Sequence, residues 1–322
     1  MQATDLYSSV RDDFTAVDAA IIEHLSSQVP LVEKIGQYII ESGGKRLRPL
    51  LVLLAARACG YQQDQHITLA AVVEFIHTAT LLHDDVVDTS DLRRGKPTAN
   101  NKWGNSSSVL VGDFLYSRAF QMLVSIGQVD VMDTLSNATN VIAEGEVLQL
   151  LNAKNPDVSE ADYLHVILGK TAMLFEAASH TGAQLAKANT EQADALRRFG
   201  RHLGIAFQLI DDLMDYAGDQ ATMGKNVGDD LAEGKPTLPL IHAMAHATDD
   251  ERKLIRKAIR QGSCEHISEI QSILSRCGSL NYTHARACQE TQDALTCLES
   301  LNDSPYKTSL ADLCTLALTR QN

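Results

Sequence analysis

Positive charge is in short supply in this chain: 28 Lys and Arg stand against 41 Asp and Glu, a formal net charge of -13. That deficit argues against nucleic acid, which ordinarily requires a basic face. It also means that an anionic substrate would be repelled unless local cations intervened. Cys-x-x-Cys pairs are missing as well. Cys59, Cys264, Cys277, Cys288, Cys297 and Cys314 are spaced for neither a disulfide framework nor a zinc site, so reduced thiols in a cytoplasmic protein are expected. The opening MQATDLYSSVRDDF lacks the basic-then-apolar pattern of a secretory signal. Apolar runs such as PLLVLLAA fall far short of a membrane span, so no integral membrane segment is expected and any lipid contact would be peripheral. Two-residue alternation is absent over any long stretch, which removes an extended sheet. No linker or composition shift marks a boundary, so 1–322 reads as a single all-α domain.

What is present is the helical period. Apolar residues recur at three and four through SVRDDFTAVDAAIIEHL and LVEKIGQYIIES. RPLLVLLAARACG is apolar nearly all round and reads as a central helix. Further helices are expected at 68–88, 106–125, 129–151, 159–186, 191–217, 236–247, 250–260, 266–277, 280–300 and 306–319. One coarse echo stands out: an apolar helix, then Asp-Asp-x-x-Asp, then a polar loop rich in Lys or Arg, occurs twice.

The first triplet is Asp84, Asp85 and Asp88 in LLHDDVVDTSDLRRG; the second is Asp211, Asp212 and Asp215 in FQLIDDLMDY. Residues four apart on a helix are offset by roughly 40° and lie a turn apart, so each triplet presents its carboxylates together. One such cluster reads as a solvated helix end. Two, both closing apolar helices and both followed by cations, point to a metal clamp, because so many carboxylates near a common site cannot all stay ionised alone. Oxygen donors without His or Cys favour Mg²⁺, which binds through a few carboxylates and substrate phosphates.

The cations fit that chemistry. Lys45, Arg46 and Arg48 follow Gly43-Gly44, where the backbone can approach a ligand closely. Arg93 and Arg94 follow the first triplet; Lys170, Lys225 and Lys235 sit in LGKTA, MGKNV and EGKPT. A metal clamp plus two separate cation groups suggests two diphosphates, one bound through metal and one bound directly by Arg and Lys.

GGKRLRP, LLHDDVVDTSDLRRGKPT, LGKTA, FQLIDDLMDY and GKNVGDDLAEGKPTLPL resemble, in this order, the motifs of the trans-isoprenyl diphosphate synthases, the polyprenyl synthetase family. The resemblance runs from about residue 5 to the C-terminus and implies an isoprenoid-synthase-type helical bundle around a deep central cavity, in a homodimer. It implies up to three Mg²⁺ ions held by Asp84, Asp88 and Asp211, with an allylic diphosphate also contacting Arg93, Lys170, Thr171, Gln208, Lys225 and Lys235. Isopentenyl diphosphate would meet Lys45, Arg48, His77 and Arg94. The catalytic set is Asp84, Asp85, Asp88, Asp211, Asp212, Asp215, Lys170 and Lys225. Ionisation of the allylic C–O bond, head-to-tail attack by the isopentenyl double bond and proton loss to the departing diphosphate complete the implied reaction.

Short-product members of the family carry aromatic rings at the fourth or fifth residue before the first triplet. Here those residues are Thr80 and Ala79. A deeper floor, with Ile76, Phe120 or Met122 along its wall, and a long product near the octaprenyl length are therefore expected, grown from a primer such as farnesyl diphosphate for quinone side chains. His83 reads as a packing residue. Glu146 and Gln149, buried three apart on one helix, need partners, either across to a neighbouring helix or near the metal.

Other signals are weaker. GKT at 169–171 lacks the earlier glycine of a nucleotide loop, the position being Leu164, and HAMAH at 242–246 has Ala243 where a zinc protease needs Glu. Trp103 reads as a loop anchor. Competing functions are a shorter-chain synthase of the geranylgeranyl type, a terpene cyclase, which the second aspartate triplet and GGKRLR oppose, and a non-catalytic subunit, which normally loses aspartates or cations.

Overall fold

The computed structural model describes residues 6–217 and 227–319. Helix dominates them, as the periodicity predicts. The chain divides into two compact units, one of Met1–Thr139, Leu174–Gly200 and Leu298–Asp312, the other of Asn140–Met173, Arg201–Cys297 and Leu313–Asn322.

In the first unit, Leu47–Ala58 is buried along Pro49 to Ala56, as its all-round apolar sequence demands. It packs with Gln65–Val87, whose Leu69–Ile76 stretch, Ala79 and Leu82 are also buried. Arg11–His24 and Asn105–Ile126 also pack against that helix. The long polar loop after the first triplet is not structureless. Leu92–Arg93 pairs antiparallel with Lys96–Pro97, and both residues of the intervening Arg94-Gly95 turn have positive φ, the geometry of a type I′ hairpin. A short helix, Ala99–Trp103, follows. Trp103 anchors this loop as expected, edge-on to Tyr38 at 5.0 Å, while the Tyr38 hydroxyl donates 2.6 Å to Pro97 O.

In the second unit, Glu160–Ile167 opens on a capping box between Ser159 and Asp162, and Asp249–Gln261 on one between Thr248 and Glu251. The expected single helix over 159–186 is interrupted: Leu168–Ala172 is a π-helical turn, and Met173–Leu185 resumes the α-helix. One apolar cluster joins Leu231, Leu240, Ile255, Ile259, Ile270 and Leu274. A second gathers Tyr163, Ile167, Ile205, Leu209 and Leu238.

All six cysteines are free thiols. Among the described residues two helices, Gln65–Val87 and Asn105–Ile126, do reach the length and apolar character of a membrane span, which scanning uninterrupted runs did not register. The most apolar window of the first is 67% buried, as in a core helix, whereas that of the second is only 39% buried.

Candidate active site

Gln65–Val87 ends at the first aspartate triplet, with Asp88 as its C-cap and Asp88 N–H donating to Asp84 O at 2.8 Å. This is the negative end of the helix dipole, where carboxylates are disfavoured and cations favoured. The three aspartates are not equivalent. Asp85 is fully buried, and its Oδ1 accepts Arg93 Nε at 2.9 Å and Nη2 at 2.7 Å. Its Oδ2 is buried with no hydrogen-bond partner. Asp84 and Asp88 are half-buried on either side. Thr98 Oγ1 donates to Ser90 O at 2.7 Å and Asn100 Nδ2 to Asp85 O at 3.1 Å, tying the following loop to the triplet. Arg93 thus serves Asp85 here, beside its expected contact to substrate.

The expected isopentenyl-binding residues gather within the same unit. Arg48 Nη1 lies 3.2 Å from His77 Nε2, and its guanidinium stacks 4.4 Å over the Phe175 ring. Burial, reinforced by the charges of Arg48, Arg94 and Arg93, holds the His77 imidazole well below its usual range, so it is neutral at pH 7. Glu74, one turn earlier, is buried beside this group; burial raises its carboxyl while the charges of Arg46, Arg48 and Arg94 oppose the rise. The close neighbour of the Gly-Gly segment in this structure is a side chain. Gly44 has φ +138°, and a Cβ there would sit 2.6 Å from Arg94 Nη1, so Arg94 lies against bare backbone. Tyr7 Oη donates to Lys45 O at 2.7 Å.

Thr190–Ala217 likewise ends at its aspartate triplet, which lies in the second unit. Asp212 is buried; its Oδ2 accepts the Tyr163 hydroxyl at 2.5 Å and its Oδ1 accepts Gln208 Nε2 at 2.7 Å. Thr171 Oγ1 donates to Gln208 Oε1 at 2.9 Å. Asp215 Oδ1 and Oδ2 accept the backbone N–H groups of Asp229 and Asp230 at 3.1 and 3.2 Å. Asp211 is exposed. Burial, with the charges of Asp211 and Asp215, pushes the Asp212 carboxyl up to about 7, against the Tyr163 and Gln208 hydrogen bonds. Burial, with Asp229 and Asp211, pushes Asp215 up to about 6, and Asp230 is raised well above the usual range. A cation at this cluster would pull all three back down.

Lys170 lies in the π-helical turn and pairs with Glu146 at 2.6 Å, which gives Glu146 its interhelical partner. Turns of this type are often found at functional sites. A Cβ on Gly145 would meet Lys170 N at 2.7 Å, so the two segments touch backbone to backbone. Lys235 pairs with Glu233, and its N–H donates to Asp230 O at 2.8 Å. Lys225 lies outside the described residues. Ala79 is fully buried and Thr80 is half-buried, its hydroxyl turned onto His77 O at 2.8 Å. His83 packs on Gly112, with Nε2 3.2 Å from Val109 O and 3.3 Å from Asp113. His242 and His246 stack on each other and His242 on Tyr282. Sequence reading passed over Tyr163 and Glu74. The signals were local: Tyr163 stands roughly two turns ahead of Lys170 and Glu74 one turn ahead of His77.

A divalent cation fits these residues. Asp85, Asp212 and Asp215 are engaged by protein donors, and both triplets sum their charge with a helix C-terminus. The buried Oδ2 of Asp85 has no hydrogen-bond donor. Every donor is a hard oxygen, which suits Mg²⁺ or Ca²⁺.

A polyprenyl synthetase family profile matches residues 29–276. The chain is 53% identical over 309 residues to an octaprenyl diphosphate synthase of Escherichia coli (strain K12), covering 96% of each chain. Among solved structures, it superimposes on a decaprenyl diphosphate synthase from Rhodobacter capsulatus with a TM-score of 0.93, at 47% identity and 97% coverage of each chain. It also superimposes on a polyprenyl synthase from Caulobacter crescentus CB15, complexed with calcium and isoprenyl diphosphate, with a TM-score of 0.95, at 42% identity and 98% and 97% coverage.

Proposed function

The chain belongs to the polyprenyl synthetase family and is a prenyltransferase of the long-chain trans type; we propose that it extends farnesyl diphosphate with isopentenyl diphosphate to about the octaprenyl length, for quinone side chains. The whole chain serves as one polyprenyl synthetase domain. The observation that carries the chemistry is the paired closure of two long helices on aspartate triplets, each with its middle carboxylate fixed by protein donors. By the family resemblance, Asp84, Asp88 and Asp211 are the proposed ligands of Mg²⁺, consistent with the calcium named for the Caulobacter protein.

When bound, Mg²⁺ supplies charge to the leaving allylic diphosphate and lowers the barrier to C–O ionisation. The chain's own residues do the rest. Lys170, Lys225, Lys235 and Arg93 take further phosphate charge, and Thr171 and Gln208 orient the same group. Lys45, Arg48 and Arg94 bind the isopentenyl diphosphate directly, where Arg supplies paired donors. His77, neutral between arginines, presents a ring nitrogen without adding charge. The nucleophile is the isopentenyl double bond, and the proton it sheds goes to the departing diphosphate, so no side-chain base is required.

The small residues Ala79 and Thr80 support the long product. The enzyme is proposed to work in the cytoplasm, touching membrane at most peripherally, as a homodimer. Exposed Val109, Leu110 and Val124 on the half-covered Asn105–Ile126 helix supply an apolar face for a second copy.

The test is incorporation of labelled isopentenyl diphosphate into an acid-labile, extractable product with farnesyl diphosphate and Mg²⁺, abolished by a chelator. Incorporation supports the proposal. A cyclised hydrocarbon without isopentenyl uptake would point to a cyclase instead. Absence of both incorporation and Mg²⁺-dependent diphosphate binding would point to a non-catalytic subunit.

A further inference from the structure

Tyr163 belongs to none of the motifs that carry the family resemblance, yet it makes the shortest of the hydrogen bonds to Asp212. Its ring packs with Ile167, Leu209 and Leu238, and its hydroxyl donates 2.5 Å to Asp212 Oδ2. A buried phenol needs a polar partner, and here that partner is a carboxylate that is itself buried. Such a charge-assisted bond is roughly twice as strong as one between neutral groups.

The other oxygen of Asp212 is fixed independently. Gln208 Nε2 donates to Oδ1 at 2.7 Å, and the Gln208 oxygen accepts Thr171 Oγ1 at 2.9 Å. The amide therefore has one satisfactory orientation, oxygen toward the hydroxyl and nitrogen toward the carboxylate. Tyr163, Asp212, Gln208 and Thr171 form a continuous chain. It runs from the core of Glu160–Ile167, through the aspartate triplet, to the π-helical turn that carries Lys170.

We propose that Tyr163 is a positioning residue for the allylic Mg²⁺–diphosphate: by clamping Asp212 it fixes the second aspartate triplet against the Thr171-Lys170 turn. The inference rests on the metal–diphosphate reading above. Asp212 is held from behind by Tyr163, its neighbour Asp211 takes the metal, and Gln208 passes the same registration to the residues that meet the phosphates. Without the hydroxyl the Asp212 carboxylate can rotate, and both metal and phosphate contacts loosen together.

Tyr163→Phe removes the hydroxyl and keeps the ring. Calorimetry with Mg²⁺ and farnesyl thiodiphosphate, an unreactive analogue, reads binding without turnover. We expect roughly ten-fold weaker Mg²⁺-dependent binding, in the range typical for residues supporting metal ligands, with the KM for isopentenyl diphosphate unchanged and the melting temperature lowered by no more than one lost buried hydrogen bond accounts for. In an Asp212→Ala background, which removes the acceptor, the same substitution should add no further loss, since the two act as one unit. Wild-type binding by Tyr163→Phe, or an equal loss in both backgrounds, would overturn the proposal. So would a fall in melting temperature accompanied by equal rises in both substrates' KM. Failure of the unaltered protein to bind the analogue with Mg²⁺ would instead overturn the functional reading beneath it.

Discussion

Asp85 and Asp212 hold the middle places of their triplets and are the best protected of the six aspartates, each nearly without solvent exposure. Asp84, Asp88 and Asp211 are the proposed metal ligands, and substitution should separate the two roles. Asp88→Ala and Asp211→Ala should lower kcat by at least roughly 100-fold, beyond the usual effect of outer metal partners, with little change in melting temperature; steady-state kinetics and thermal denaturation check both. Asp85→Ala should cost stability as well, by about 1–3 kcal/mol, because it strips Arg93 of its partner. His77 gives a pH signature. Its imidazole is held well below the usual value by burial and by Arg48, Arg94 and Arg93, so the unfolded chain accepts a proton near pH 6.5 that the folded chain refuses. Stability from this site is therefore present above that pH and lost as pH falls below it. Denaturant titrations from pH 7 to 5 should show a flatter decline for His77→Gln, by at most about 1.4 kcal/mol per pH unit; an unchanged slope would remove His77 from the account.

At the scale of elements, the crossing of Gly145 with the Gly169-Lys170 backbone fixes where the π-helical turn lies. Gly145→Ala puts a methyl group 2.7 Å from Lys170 N, with no flexible side chain to give way. It should destabilise by about 1–3 kcal/mol and raise the KM for the allylic substrate, measured by denaturation and initial rates. The helices themselves were largely legible, since Gln65–Val87, Asn105–Ile126 and Val129–Asn152 differ from the periodic pattern by a few residues at most. The interruption at Leu168–Ala172 was not: HVILGKTAMLF keeps its apolar spacing across the turn, and a single inserted residue leaves no mark on composition. The hairpin at 92–97 escaped for a related reason, because strands of two residues cannot alternate. Of the site, the aspartates and cations were readable as repeated motifs. The anchoring of Asp85 and Asp212 was not, because it depends on Arg93 folding back onto Asp85 and on Tyr163 reaching Asp212.

At the scale of the whole molecule, a net charge of -13 would repel the two diphosphates of the proposed reaction, and local cations with Mg²⁺ are the proposed counterweight. The same scale holds the expected second copy. Leu110 is 66% exposed on Asn105–Ile126, so Leu110→Glu should leave the fold intact while shifting the protein from dimer to monomer in sedimentation velocity. Ala79→Tyr should shorten the product by filling space beneath the first triplet, read by chromatography of the dephosphorylated chains. The central claim, long-chain trans-prenyl transfer, is tested most directly on the unaltered enzyme: farnesyl diphosphate, labelled isopentenyl diphosphate and Mg²⁺ are incubated, and the dephosphorylated products are sized. The account predicts a ladder ending near the octaprenyl alcohol. A ladder stopping at geranylgeraniol, or no elongation at all, would contradict it.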